Sequence, residues 1–213
     1  INQPLTALRM QLASLRLLLD NGREGEVREG LGHVEGLLER MAALTGHLKT
    51  FARKSPAGLQ QHLALADELE QALQLLSPRI RSEQVEVFRQ VPTEATVRGD
   101  AIRLEQVLIN LLHNALDAMA ERPQRRLRIL CRRVGDAWQL SVADNGGGIA
   151  SEHLDQVFEP FFTTKPVGQG LGLGLAVSYG IVRDMGGTLE VSNDEQGAVF
   201  TLTLPAAEVH AAE

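Results

Sequence analysis

Cysteine is almost absent from this chain: Cys131 is the one thiol in 213 residues. A lone cysteine closes no intrachain disulfide and fits a reducing compartment. Long apolar runs are also missing. None approaches the roughly 18–20 residues that a membrane-crossing helix needs, and no signal peptide opens the sequence. The expectation is a soluble portion, which can still be the cytoplasmic end of a membrane protein. There is no basic excess either. Lys and Arg number 21 against 27 Asp and Glu, a net charge of −6, and no basic stripe appears. Nucleic acid is therefore not an expected partner. What remains is ordinary for a globular chain, with 44% hydrophobic and 23% charged residues,. The length suits one large domain or two small ones. Ile1-Asn2-Gln3-Pro4 leads straight into a helical pattern, so the chain reads as a fragment.

The pattern changes character near residue 56. In the first part Ile1, Leu5, Leu8, Leu12, Leu15 and Leu19 recur at alternating spacings of four and three. Val27, Leu31, Val34, Leu38, Met41 and Leu48 repeat the rhythm, with a second stripe through Leu37, Leu44 and Phe51. This predicts an antiparallel helical hairpin with a turn at Asp20-Asn21-Gly22. Its apolar face is too wide for two helices to enclose. Either the hairpin packs on its own chain, or two copies form a dimeric four-helix bundle through residues 1–54. Ser55-Pro56-Ala57-Gly58 is the expected linker, giving domains 1–56 and 57–213. Beyond it the spacing predicts helices over 65–76, 101–120 and 173–185. Strands are expected at 85–91, 95–98, 127–133, 137–143, 188–192 and 198–204. Helices segregated from a mixed sheet make a two-layer α/β sandwich, so the whole is expected to be α+β.

Four segments carry chemistry. Asn110, Asn114 and Asp117 share one face of a leucine-rich helix at i, i+4 and i+7. Asn is a mediocre helix former. Its amide oxygens there suit a hard cation such as Mg²⁺, or else they are merely solvated or internally bonded. Asp144, followed by Gly146, Gly147 and Gly148, ends a strand. A carboxylate beside permissive backbone can accept a hydrogen bond from an exocyclic amine such as adenine's, or the segment is an ordinary turn. Gly168, Gly170, Gly172 and Gly174 alternate before a helix, where free N–H groups and the helix dipole attract an anion. The other reading is a flexible loop. It is neither a Walker A loop nor a dinucleotide fingerprint. Between these lies Val157–Lys165, with three of the six Phe, namely Phe158, Phe161 and Phe162. It suits a lid anchor with Lys165 as a phosphate-seeking charge, or a satellite cluster with a surface lysine.

In this order and at these intervals the four segments resemble the N, G1, F and G2 boxes of the histidine-kinase ATP-binding domain. That domain belongs to the GHKL (Bergerat) superfamily, with type II topoisomerase ATPases, Hsp90-type chaperones and MutL proteins. The resemblance covers about 60–205. It implies ATP and Mg²⁺ as ligands. Asn114 resembles the metal-binding Asn, with Asn110 as its companion near the phosphates and Asp117 among the cofactor-binding residues. Asp144 resembles the adenine-reading carboxylate, and Gly146 and Gly148 the glycines next to it. Phe158 and Lys165 fall in the lid segment. Gly170, Gly172, Leu173, Gly174 and Leu175 form the phosphate cradle.

Ile1-Asn2-Gln3-Pro4-Leu5 resembles the tail of the H box, His-Glu-Ile-Asn-Gln-Pro-Leu, of sensor histidine kinases in the nitrogen-regulator and C4-dicarboxylate-sensor branch. The implied phosphoacceptor His then lies just upstream of Ile1, and this chain is expected not to autophosphorylate. The implied activity is transfer of the γ-phosphoryl of ATP to that histidine. An aspartate of a response-regulator receiver domain then takes it in a two-component system. Gln3 stands where relatives with phosphatase activity carry Thr or Asn. Asn110 stands where ATP-hydrolysing relatives carry a Glu, and an amide is no general base near neutral pH. The competing expectations are a GHKL-type ATPase and a degenerate module that only binds nucleotide and dimerises. His33, His47, His62, His113, His153 and His210 are expected in surface or capping roles.

Overall fold

The computed structural model describes residues 2–20, 23, 25–27, 30, 31, 34, 61–165 and 172–207. The chain divides into two compact units, Ile1–Arg53 and Lys54–Glu213. In the first, α1 (Asn2–Asp20) is helical throughout. Residues 25–27, 30, 31 and 34 are helical too. Leu15 and Val34 are buried, whereas Met10, Leu12, Leu17 and Leu19 are exposed. Gly30 abuts the Leu15 side chain so closely that a Cβ there would collide with it. The rest of the expected second helix, the 55–58 linker, His33, His47, His210 and the Gln3 side chain lie outside the described residues.

The second unit contains β1 (Gln61–Ala64), α2 (Leu65–Ser82), β2 (Val85–Gln90), β3 (Thr96–Gly99), α3 (Ala101–Ala118), β4 (Arg125–Val134), β5 (Ala137–Asp144), α4 (Gly174–Asp184), β6 (Thr188–Asn193) and β7 (Ala198–Pro205). A single 3₁₀ turn, Ser151–His153, follows β5. The main sheet has the order β2-β4-β5-β7-β6. Its β2–β4 pairing is parallel and the others are antiparallel. β1 and β3 form a separate two-stranded ribbon. Side-chain alternation decides the layers. Leu127, Ile129, Trp138, Leu140, Val142, Phe200, Leu202 and Leu204 are buried in one core with Leu104, Leu108, Leu111, Leu112 and Ile181 of the helices. The intervening Arg128, Arg132, Gln139, Thr201 and Thr203 are exposed or half-buried. The sheet therefore buries one face under helices and turns the other to water.

Two features differ from the sequence expectation. The first helix of this unit runs to Ser82 and contains Pro78, instead of stopping at 76. Its last turn is held from outside: Arg79 Nε donates to Glu83 Oε1 at 2.7 Å and Arg125 Nη1 to the Glu83 carbonyl at 2.6 Å. β1 was not among the expected strands, and it places His62 in a strand opposite Arg98.

Candidate functional site

Helix α3 begins at the cap Asp100, whose side chain accepts from the Arg103 N–H at 3.2 Å. Seven of its residues, from Leu104 to Leu116, are buried against the sheet and neighbouring helices. That burial fixes the rotation of the helix and leaves Asn110, Asn114 and Asp117 together on a half-buried stripe,. Asn110 Nδ2 donates to the Gly174 carbonyl and to Ser178 Oγ, both at 3.2 Å. It thereby ties α3 to the first turn of α4. The Asn114 side chain has no hydrogen bond among the described residues. Asp117 is doubly held: Oδ1 takes Arg79 Nη2 at 2.7 Å and Oδ2 contacts Lys165 Nζ. Burial raises its carboxyl pKa, but the Lys165 and Arg79 contacts outweigh that and hold it below the ordinary carboxylate range. Arg79 Nη1 meets His113 Nδ1 at 3.1 Å. Partial burial, then the adjacent guanidinium, lower the His113 pKa, which favours neutral imidazole as the acceptor.

Asp144 ends β5 with only 5% exposure. Its Oδ1 accepts from the Gly146 N–H at 2.8 Å and the Ala198 N–H at 3.4 Å. Its Oδ2 has no partner among the described residues. Burial pushes its pKa up, partly opposed by those two N–H donors. Gly146 lies against the end of α3, where a Cβ would stand 2.6 Å from the Ala118 carbonyl oxygen. Gly148 has φ 81°, and a Cβ would come within 2.8 Å of Asn193 Oδ1. The β6–β7 turn also reaches this loop. Gly197 passes so close to Asp144 that a Cβ would lie 2.6 Å from Oδ1. The Gly147 N–H donates to the Gln196 carbonyl at 3.1 Å.

The aromatic segment closes on the second glycine run. The Phe161 N–H donates to the Gly172 carbonyl at 2.8 Å. Gly172 has φ 62°, and any Cβ there would collide with the Phe162 carbonyl. Phe161 itself sits at φ 71° and is 71% exposed. Phe158 packs on Tyr179 at 5.2 Å between ring centroids, and Phe162 on His153 at 5.3 Å. Leu173 is buried and Leu175 packs against the core. Gly168 and Gly170 lie outside the described residues.

Three segments distant in sequence therefore meet one helix at successive levels. Gly174 faces Asn110, Lys165 contacts Asp117, and Gly146 abuts Ala118. Of the residues singled out in the sequence, the described ones thus fall into two neighbouring groups along α3. Lys165 is engaged by Asp117 here. Arg79, Ser178, Asn193 and Gly197 join the site without any motif announcing them. A hollow of about 540 Å³ opens beside the Asp144 loop, lined by Arg122, Gln124, Asn145, Gly147 and Gln196 among others. Asn110, Asn114 and Lys165 do not line it, so it is separate from the polar stripe.

Residues 99–208 match the family described as histidine kinase-, DNA gyrase B-, and HSP90-like ATPase. The chain is 41% identical over 210 residues to the C4-dicarboxylate transport sensor protein DctB of Pseudomonas aeruginosa, across 96% of this chain but 34% of that protein. It thus spans about a third of that relative. Among solved structures, the catalytic domain of histidine kinase ThkA is 31% identical with a TM-score of 0.63, over 69% of this chain and 95% of that one. Histidine kinase ThkA in complex with response regulator protein TrrA shares the fold at a TM-score of 0.71 and 22% identity, over 97% of this chain and 60% of that one.

Proposed function

The chain belongs to the histidine kinase-, DNA gyrase B-, and HSP90-like ATPases, among the sensor histidine kinases, and from that premise we propose that its second unit binds ATP with Mg²⁺ to phosphorylate a histidine. The observation that carries the reading is the convergence on α3 of the Asp144 loop, the Gly172–Gly174 turn and Lys165. The residues present fit the ligands chemically. Asp144 offers an unpartnered carboxylate oxygen beside glycines that leave no room for side chains, which suits the exocyclic amine of a flat base. Asn114 offers an amide oxygen of the hard kind that Mg²⁺ takes. Bound there, Mg²⁺ would neutralise charge on phosphate oxygens. The N–H groups at the start of α4, which Asn110 anchors, favour an anion. Gly146, Gly148, Gly170, Leu173 and Leu175 complete the proposed contact set, with Phe158 anchoring the lid and Asp117 holding Lys165 near the phosphates.

Asn110 decides between transfer and hydrolysis. An amide facing Ser178 and Gly174 cannot take a proton from water near neutral pH. The triphosphate is then held for another acceptor, and phosphoryl transfer needs chiefly positioning and charge neutralisation. The proposed acceptor is the histidine that the H-box resemblance puts two residues before Ile1. A receiver-domain aspartate of a response regulator is the proposed next carrier. Residues 1–54 are proposed to dimerise as paired hairpins. The exposed Met10, Leu12, Leu17 and Leu19 of α1 supply apolar surface for that pairing. Gln3 is the proposed position for any phosphatase step, and the whole sensor is proposed to sit at a bacterial inner membrane with this portion in the cytoplasm.

Calorimetric titration of the chain with ATP, with Mg²⁺ and with EDTA, tests the site. Binding should require Mg²⁺ for full affinity. Asp144→Asn and Asn114→Ala should each weaken it by about tenfold or more, the equivalent of at least one lost hydrogen bond or metal ligand. Unchanged affinity in either variant would remove that residue from the site.

A further inference from the structure

The Asp144 loop is held by a side chain on the far side of the sheet sequence. Asn193, the last residue of β6, accepts from the Ile149 N–H at 2.9 Å through Oδ1 and donates to the Ile149 carbonyl at 2.7 Å through Nδ2. One primary amide thus meets both polar groups of one peptide residue, as a neighbouring β-strand would. Two adjacent bonds fix direction as well as distance. The loop between Asp144 and Ile149 has three consecutive glycines, two of them at positive φ, 100° and 81°. Such backbone has many alternatives when free. The clamp removes them at its distal end, while Asp144 Oδ1 and the Gly146 N–H set its proximal end.

The rest of the β6–β7 turn supports the same arrangement. Asp194 Oδ1 accepts from the N–H groups of Gln196 and Gly197 at 2.8 and 2.9 Å, which shapes the turn. Asp194 Oδ2 takes Arg128 Nη2 at 2.9 Å, which anchors the turn to β4. From this anchored turn come the Gln196 carbonyl that takes the Gly147 N–H, and the Ala198 N–H that reaches Asp144. Gly148 faces Asn193 without a side chain, and the close approach requires that.

We propose that Asn193 is a positioning residue for nucleotide binding, which pins Ile149 and so sets the Gly146–Gly148 backbone and the Asp144 carboxylate against the base. The inference rests on the reading of Asp144 as the base-recognising group. It places Asn193 on the base side of the site, away from Asn114 and the phosphates. A substitution there acts on the nucleoside end of the ligand, whatever the number of phosphates.

The test compares the whole chain with Asn193→Leu, which keeps the shape and loses both bonds, and with Asn193→Asp, which keeps the acceptor for the Ile149 N–H and loses the donor. Calorimetric Kd values for Mg-ATP and Mg-ADP, and melting temperatures, are measured for each. Asn193→Leu should lose about tenfold in affinity, by the same factor for both nucleotides, and Asn193→Asp less. A loss confined to ATP, or parent-like affinity in Asn193→Leu, would overturn the inference. Hydrogen exchange of the parent protein needs no variant. The Ile149 amide should be protected before nucleotide is added, and exchange there at the rate of an open loop would overturn the clamp even if Asn193→Leu does not fold. A parent chain that binds neither nucleotide would instead overturn the proposed function, so the two failures are separable.

Discussion

Asp144 is a buried acid that the fold itself does not need in its charged form. Burial raises its pKa, the Gly146 and Ala198 N–H groups recover part of the lost hydration, and Asp194 nearby adds to the rise. A raised pKa means the folded state prefers the protonated acid. The stabilising contribution is complete below the ordinary carboxylate range and is lost as pH climbs through the raised value, so at neutral pH the ionised group costs stability. Asp144→Asn should therefore melt no lower than the parent at neutral pH while binding ATP more weakly. Its melting temperature should gain on the parent's as pH rises from about 4 to 7. Calorimetric melts across that range check this, and a variant that falls progressively below the parent would refute it. At this scale the sequence was informative where spacing is local. Asn110, Asn114 and Asp117 share a stripe because 3.6 residues make a turn, and Gly172 precedes a helix start. Arg79, Asn193 and Gly197 were invisible, because their partners Asp117, Ile149 and Asp144 lie tens of residues away and no spacing encodes such contacts.

Secondary-structure elements show the same division. Runs rich in strand-forming apolar residues at 127–133 and 198–204 made those strands legible. The four-residue β1 was too short to show any alternation and owes its form to pairing with β3. Helix α2 failed for another reason. Pro78 gives no N–H to the Gln74 carbonyl and normally ends a helix. Here Arg79, Glu83, Arg125 and Asp117 secure the turn beyond it, so tertiary contacts override the local break. Pro78→Ala should restore the missing bond and stabilise the chain by about 1 kcal/mol, after allowing for the unfolded-chain freedom that proline withholds. That corresponds to a rise of about 2–4 °C in melting temperature for a protein of this size. A lower melting temperature would mean that the proline fits the final turn better than a regular residue does.

For the whole molecule, the chain divides into two compact units between residues 53 and 54, and the second has its own continuous core. A chain beginning at Lys54 should fold cooperatively and bind Mg-ATP within about twofold of the full chain, since every residue of the proposed site lies in that unit. Equilibrium titration of both chains is the check, and a much weaker shortened chain would mean that the first unit completes the site. The architecture of the second unit followed from the order of strands and helices together with the glycine boxes. The pairing order β2-β4-β5-β7-β6 did not, because it is set by which faces pack, not by any one segment.

Trp138 is the sole tryptophan of the chain and lies on β5 at 5% exposure, with the Arg133 guanidinium 5.7 Å from its ring centre. The same strand ends at Asp144. The chain thus carries one tryptophan fluorophore, buried in the sandwich and absent from residues 1–53. Its emission will shift to the red when the sandwich unfolds. That red shift reports loss of the sandwich fold with no label added.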